Sequence, residues 1–151
     1  MKKAWILGVL LGLAVPGWVM AASGDDAIEY RQGLFRALKW NFSDMGAMIQ
    51  ERKPFDAARF AQEADRLAAL APMLGEGFIK GSEKSETVPT RAASELWYQR
   101  DRFDQLMQQL EEKTAALAEA AKHEDRDGLR PYFGQVAQAC KACHDRYRER
   151  D

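Results

Sequence analysis

Apolar side chains recur along this chain at steps of three and four residues, in four separate stretches. That period is the one-face signature of an amphipathic helix. The first stretch, about 25–51, carries Ile28, Phe35, Leu38, Phe42, Met45 and Ile49, with Arg31 in one place of the same series. The second, about 55–71, runs through Ala57, Phe60, Ala64, Leu67 and Ala71, and its alanines imply close approach to a neighbour. The third, about 92–122, carries Leu96, Arg100, Phe103, Met107, Leu110, Thr114, Leu117 and Ala121, widened by Trp97 and Leu106. The fourth, about 128–148, has Leu129, Phe133, Val136, Cys140, Cys143 and Tyr147 on its spine, with Pro131 placed in the first turn. No stretch reads as a strand.

The breaks between these stretches carry the expected punctuation. Ser23 or Asp25 caps the first helix and Pro54 ends it; Pro72 closes the second. Gly75, Gly77 and Gly81 open the longest irregular stretch, a polar run to about residue 90 that reads as a surface connection. Residues 123–128 form a charged turn. Four helices with such connections predict an all-α fold, an antiparallel up-down-up-down four-helix bundle, with any cofactor held between facing helices.

The N-terminus changes the count of structural residues. Lys2 and Lys3, an apolar run over 6–15 and Val19-Met20-Ala21 read as a signal peptide, 1–21, cleaved after Ala21. Pro16 and Gly17 interrupt the run, which is too short for a membrane span. The mature chain is then 22–151, one domain exported to a periplasm and not membrane-bound. Its 20 basic and 23 acidic residues give a formal charge of −3, which speaks against a nucleic-acid partner.

The candidate chemistry lies on the fourth stretch, in Cys140-Lys141-Ala142-Cys143-His144. Two thiols at i and i+3 share one helix face, and the next residue presents an imidazole; this is the attachment pattern of a c-type haem. The cysteines would form thioethers and His144 would ligate the iron. A zinc site would lack a fourth ligand, and no thioredoxin-like strand pattern surrounds the pair. Export would otherwise favour a disulfide, and thioether bonds remove both thiols from that chemistry. His123 sits in the charged turn as a solvated side chain, while Met45, Met48, Met73 and Met107 read as core or interface filler.

With that motif in place, the whole mature chain resembles the cytochromes c′. The resemblance is most specific in Ala139-Cys140-Lys141-Ala142-Cys143-His144-Asp145-Arg146-Tyr147-Arg148 and in Tyr30-Arg31-Gln32-Gly33-Leu34-Phe35; residues 128–134 match the lead-in to the family's last helix. It implies one haem c on Cys140 and Cys143 with His144 as proximal ligand. It also implies Arg31 on a haem propionate with help from Gln32, Arg148 beside the proximal imidazole, and Phe35 against the vacant distal side. A phenyl ring cannot ligate iron, so the resemblance implies a five-coordinate, high-spin centre open to NO and CO. Met45 and Met48 lie about 15 Å further along the first helix, too far to substitute. A low-spin six-coordinate electron carrier of the same bundle class is the alternative. No distal acid–base group accompanies Phe35, which argues against an enzyme such as a peroxidase. The expected partners are periplasmic redox proteins or small gases. Leu34, Trp40 and Met48 lie off the first helix's spine as surface apolars, and the family's habit of pairing through its first two helices implies a homodimer.

Overall fold

The computed structural model describes residues 23–150; the signal-peptide and cleavage-site predictions fall outside the described residues. Five α-helices account for most of the described residues: α1 Gly24–Ile49, α2 Ala57–Leu70, the short α3 Glu95–Tyr98, α4 Arg100–Ala120 and α5 Arg126–Tyr147. The four long ones form a bundle in which α1 packs on α2, α2 on α4 and α4 on α5, while α1 and α5 touch more sparsely. Among the described residues the one β-type pairing is an isolated bridge between Ala92 and Arg148, and no helix is long and apolar enough to cross a membrane.

Local sequence explains the starts of α1, α2 and α5. Ser23 caps α1 in a reciprocal arrangement: its side chain accepts from the Asp26 backbone while the Asp26 carboxylate accepts from the Ser23 backbone. Asp56 caps α2 through the Arg59 N–H, and Asp125 caps α5 through the Gly128 N–H. α5 therefore begins two residues before the expected position. Pro131 falls in its second turn rather than its first, where it forgoes the hydrogen bond to the Asp127 carbonyl. α1 ends without a glycine: Glu51 takes the left-handed conformation, φ 59°, just beyond the helix.

The third predicted helix is divided. Gln99, at φ −116° and ψ 40°, separates α3 from α4. The cause lies at the C-terminus. Ala93 N–H donates to the Tyr147 carbonyl at 2.9 Å and Glu149 N–H to the Arg91 carbonyl at 2.8 Å. Residues 91–93 thus run beside 147–149, and the chain must turn through α3 before it can align with α4. Gln99 holds the corner by accepting from the Tyr147 hydroxyl at 3.2 Å and Arg146 Nε at 3.1 Å.

The stretch expected to be a surface connection is instead a packed strap across α1. Phe78 and Ser82 are buried. Gly77 lies so close to α1 that a Cβ there would stand 2.7 Å from the Arg31 Cβ and 2.8 Å from the Ala27 carbonyl oxygen, and Gly81 has φ +91°. Met48 is fully buried, which bears out its reading as core filler and not its place among the off-spine surface apolars. Leu34 is half-buried against the core, and of the three off-spine residues Trp40 alone is left well exposed, at 75%.

Candidate functional site

α1 and α5 meet at one end and part towards the other. They meet where the Phe42 and Phe133 rings stack, centroids 4.2 Å apart and 7° from parallel. Gly46 makes room for this contact, since a Cβ there would lie 3.2 Å from the Phe133 ring. Beyond that point a cavity of about 660 Å³ opens between α1, α4, α5 and the strap. α2 contributes nothing to its wall.

Cys140, Cys143 and His144 line this cavity from α5. Both cysteines are half-buried free thiols. Burial raises the Cys140 pKa and pushes Cys143 up to about 11, with its neighbour Cys140 adding to the effect. Burial, and then the Arg148 charge, hold the His144 imidazole below its ordinary value. Imidazole in that state is the neutral form able to donate a lone pair. The turn bearing the motif is anchored by Tyr147, buried, with its ring edge-on to Phe103 at 5.9 Å.

Phe35 faces the same cavity from α1, with its ring at 6.3 Å and 73° to Phe78. Phe78 in turn packs on Phe103 at 4.9 Å and Trp97 at 6.2 Å. Among the described residues one methionine lines the cavity, Met107 of α4. Met45 and Met48 are buried away from it.

Arg31 also lines the cavity, but its partners are protein groups. Nη1 donates to the Gly77 carbonyl and Ser82 Oγ, each at 2.8 Å; Nη2 donates to the Ser82 carbonyl and Thr90 Oγ1, each at 2.9 Å. The guanidinium lies 4.6 Å over the Phe78 ring. The residue expected to meet a propionate is therefore also the clamp that ties the strap to α1. Gln32 extends the clamp through Nε2 to the Pro89 carbonyl at 2.7 Å. Arg148 is exposed at the cavity's edge, and its backbone N–H caps α5 on the His144 carbonyl at 3.2 Å. Arg100, which shares the apolar series of the third stretch, is exposed, pairs with Asp104 at 2.9 Å and stays out of the cavity.

Several site residues had no advance signal. Phe78, Thr90, Arg36, Lys39 and Arg91 all line the cavity. A lone aromatic in a stretch of glycines and charges was the available clue for Phe78, because an apolar ring in a solvated loop has nothing to gain there.

No three His, Cys, Asp or Glu side chains cluster as a metal site among the described residues, so the two thiols and one imidazole do not form a protein-only metal centre. They sit on one wall of an apolar cavity of the size that takes a large organic ligand. They fit a haem.

A family model described as Cytochrome C' matches residues 26–148. The chain belongs to the cytochrome c′ family. Cytochrome c' of Halomonas halodenitrificans is 34% identical over 130 residues, covering 84% of this chain and 98% of that one. The solved cytochrome c prime from Shewanella frigidimarina is 42% identical, with a TM-score of 0.82, covering 87% of this chain and all of the other. A nitric oxide complex of a mutant cytochrome c prime from Alcaligenes xylosoxidans is 32% identical, with a TM-score of 0.77, covering 85% and 98% respectively. Membership brings one covalent haem c as the prosthetic group, in agreement with the two cysteines of this chain.

Proposed function

We propose that this cytochrome c′ is a periplasmic haem protein that binds small neutral diatomic ligands, NO and CO, at an iron held on α5. Cys140 and Cys143 would be the thioether residues and His144 the axial ligand. The observation that carries the reading is that the His144 imidazole on α5 and the Phe35 ring on α1 line one cavity from two different helices. The bound haem would supply an iron with one face available to a diatomic ligand. The protein's part is to fix, shield and select. α5 presents both sulfurs and the imidazole from one rigid helix. Phe35, backed by Phe78, offers an apolar surface that disfavours water and anions and accepts a small neutral molecule. Apart from His144, the proposed axial ligand, no histidine or carboxylate among the described residues lines the cavity to serve as a distal acid–base group, which favours a binder over an enzyme. The exposed Trp40 on α1 supports pairing of two copies through the first two helices.

Met107 gives the second reading its observation. A thioether sulfur on the cavity wall is the group that a low-spin electron carrier would use. Absorption spectra of the purified ferric and ferrous protein, with and without CO, separate the two. The proposal expects high-spin spectra and a ferrous form that takes up CO, unchanged in Met107→Leu. A low-spin ferrous spectrum indifferent to CO, turned high-spin by the same substitution, would establish the carrier instead.

A further inference from the structure

We propose that the rim of the haem cavity is an electrostatic docking surface for an acidic one-electron redox protein. The inference rests on the haem reading above and adds a partner of stated chemistry. Arg36 and Lys39 of α1, Arg91 of the strap and Arg148 at the end of α5 line the cavity and are exposed, so they mark where it opens to solvent. Among the described residues no Asp or Glu lines the cavity. Among the described residues none of Arg36, Lys39 and Arg148 forms an ion pair, whereas Arg100, Arg126, Arg130 and Lys141 elsewhere each answer a carboxylate. Arg36 donates to the neutral Gln32 amide at 3.2 Å. Inside the cavity the four acceptors of Arg31 are likewise neutral.

A haem brings two propionates. Setting Arg91 aside, Arg31, Arg36, Lys39 and Arg148 supply four positive charges, so the face stays positive by about two charges after both propionates are met. The chain as a whole is formally −1. The face and the molecule thus have opposite signs. Screening over about 8 Å at physiological salt means that an approaching partner senses the face rather than the total. Rim charges of this kind act on encounter rate and orientation. An acidic partner would be steered to the cavity edge, where a bound haem, going from ferrous to ferric, would supply one electron to a one-electron acceptor on the partner.

The test uses the holoprotein. Stopped-flow oxidation of the ferrous form by hexacyanoferrate(III), a trianion, should slow several-fold as salt rises from about 10 to about 200 mM. Oxidation by a tripositive cobalt(III) chelate should speed up over the same range. In Arg36→Glu/Lys39→Glu, both salt slopes should flatten or reverse. Polyglutamate titrated into the holoprotein should shift amide resonances of Arg36, Lys39 and Arg148, and should not do so in the double variant. An anionic oxidant that speeds up with salt would mean that total charge governs, and the proposal falls. It falls equally if the slopes survive the double variant, or if that variant only disperses a self-associated form and leaves polyglutamate binding intact. Purified protein without covalent haem would instead overturn the haem reading.

Discussion

α1 treats its two neighbours in opposite ways. Towards α2 it closes completely: Met45, Met48 and Ile49 are buried, and across from them lie Phe60, Ala64 and Leu67, each fully buried. Towards α5 it closes only at Phe42 and Gly46, and past that point the wall is left for something else to fill. Small residues on α2 let one flank seal with protein atoms alone. On the other flank α1 and α5 touch through the Phe42–Phe133 stack, and past it the Phe35 ring lines an open cavity instead of meeting α5. A bundle can thus be a finished core on one side and a socket on the other, with the same helix serving both.

Phe133→Ala attacks the point where the two flanks separate. The ring is buried, stacked on Phe42 and wedged against Gly46. Its removal should cost about 3–5 kcal/mol, because the contact has few substitutes and the gap can collapse only by shifting α5. Denaturant midpoints of the holoprotein measure the loss. A change below about 1 kcal/mol would mean that α1 and α5 are held together elsewhere and the comparison of flanks is misdrawn.

The strap gives a smaller effect. Arg31→Met keeps much of the side chain's apolar bulk over Phe78 but deletes four hydrogen bonds, leaving the buried Ser82 carbonyl without its donor and the Gly77 carbonyl with only the Ser82 hydroxyl at 3.4 Å. The expected cost is about 3 kcal/mol, concentrated in the strap. Hydrogen exchange should show lost protection at Phe78 and Ser82, with α2 and α4 unchanged. Uniform loss across the molecule would show Arg31 to be a general core residue rather than a clamp.

What could be read from the chain follows the same division. The helices were legible because their apolar residues repeat at helical spacing over many turns, and the covalent motif was legible because its three side chains lie within five consecutive residues. The strap was not: its glycines and charges look solvated, and only contact with Arg31 and Phe103, distant in sequence, reveals it as packed. Gln99 was missed for a related reason, since the break it makes is imposed by a pairing between 91–93 and 147–149. Met48 read both as core filler and as an off-spine surface apolar because it sits between two apolar stripes, and α1 needs two stripes to serve two flanks.

The closed flank has one polar defect, and it sets the finest test. Glu63 of α2 is 2% exposed; Oε1 takes Arg59 Nε at 3.2 Å, while Oε2 is buried and meets no donor. As a carboxylate that oxygen would be orphaned. As a carboxylic acid it can donate to Asp44, the neighbour that Lys53 holds at 2.7 Å and Arg59 at 2.8 Å. Burial first, then the Asp44 charge, raise the Glu63 pKa above its ordinary 4.5, whereas the Lys53 hydrogen bond holds Asp44 below its ordinary 3.8. The folded protein therefore keeps a proton on Glu63 at pH values where the unfolded chain has released it. Stability from Glu63 is fully present below about pH 4.5 and is lost as pH rises through its raised folded value; stability from Asp44 is present above about 3.8 and is lost as pH falls through its lowered one. Glu63→Gln keeps a neutral donor towards Asp44 and removes the titration. The Tm of this variant should vary less than that of the parent above pH 4.5, with the gap widening in the variant's favour as pH rises. Parallel Tm curves would show that Glu63 carries its charge in the fold, and that the closed flank tolerates a buried carboxylate without a second donor.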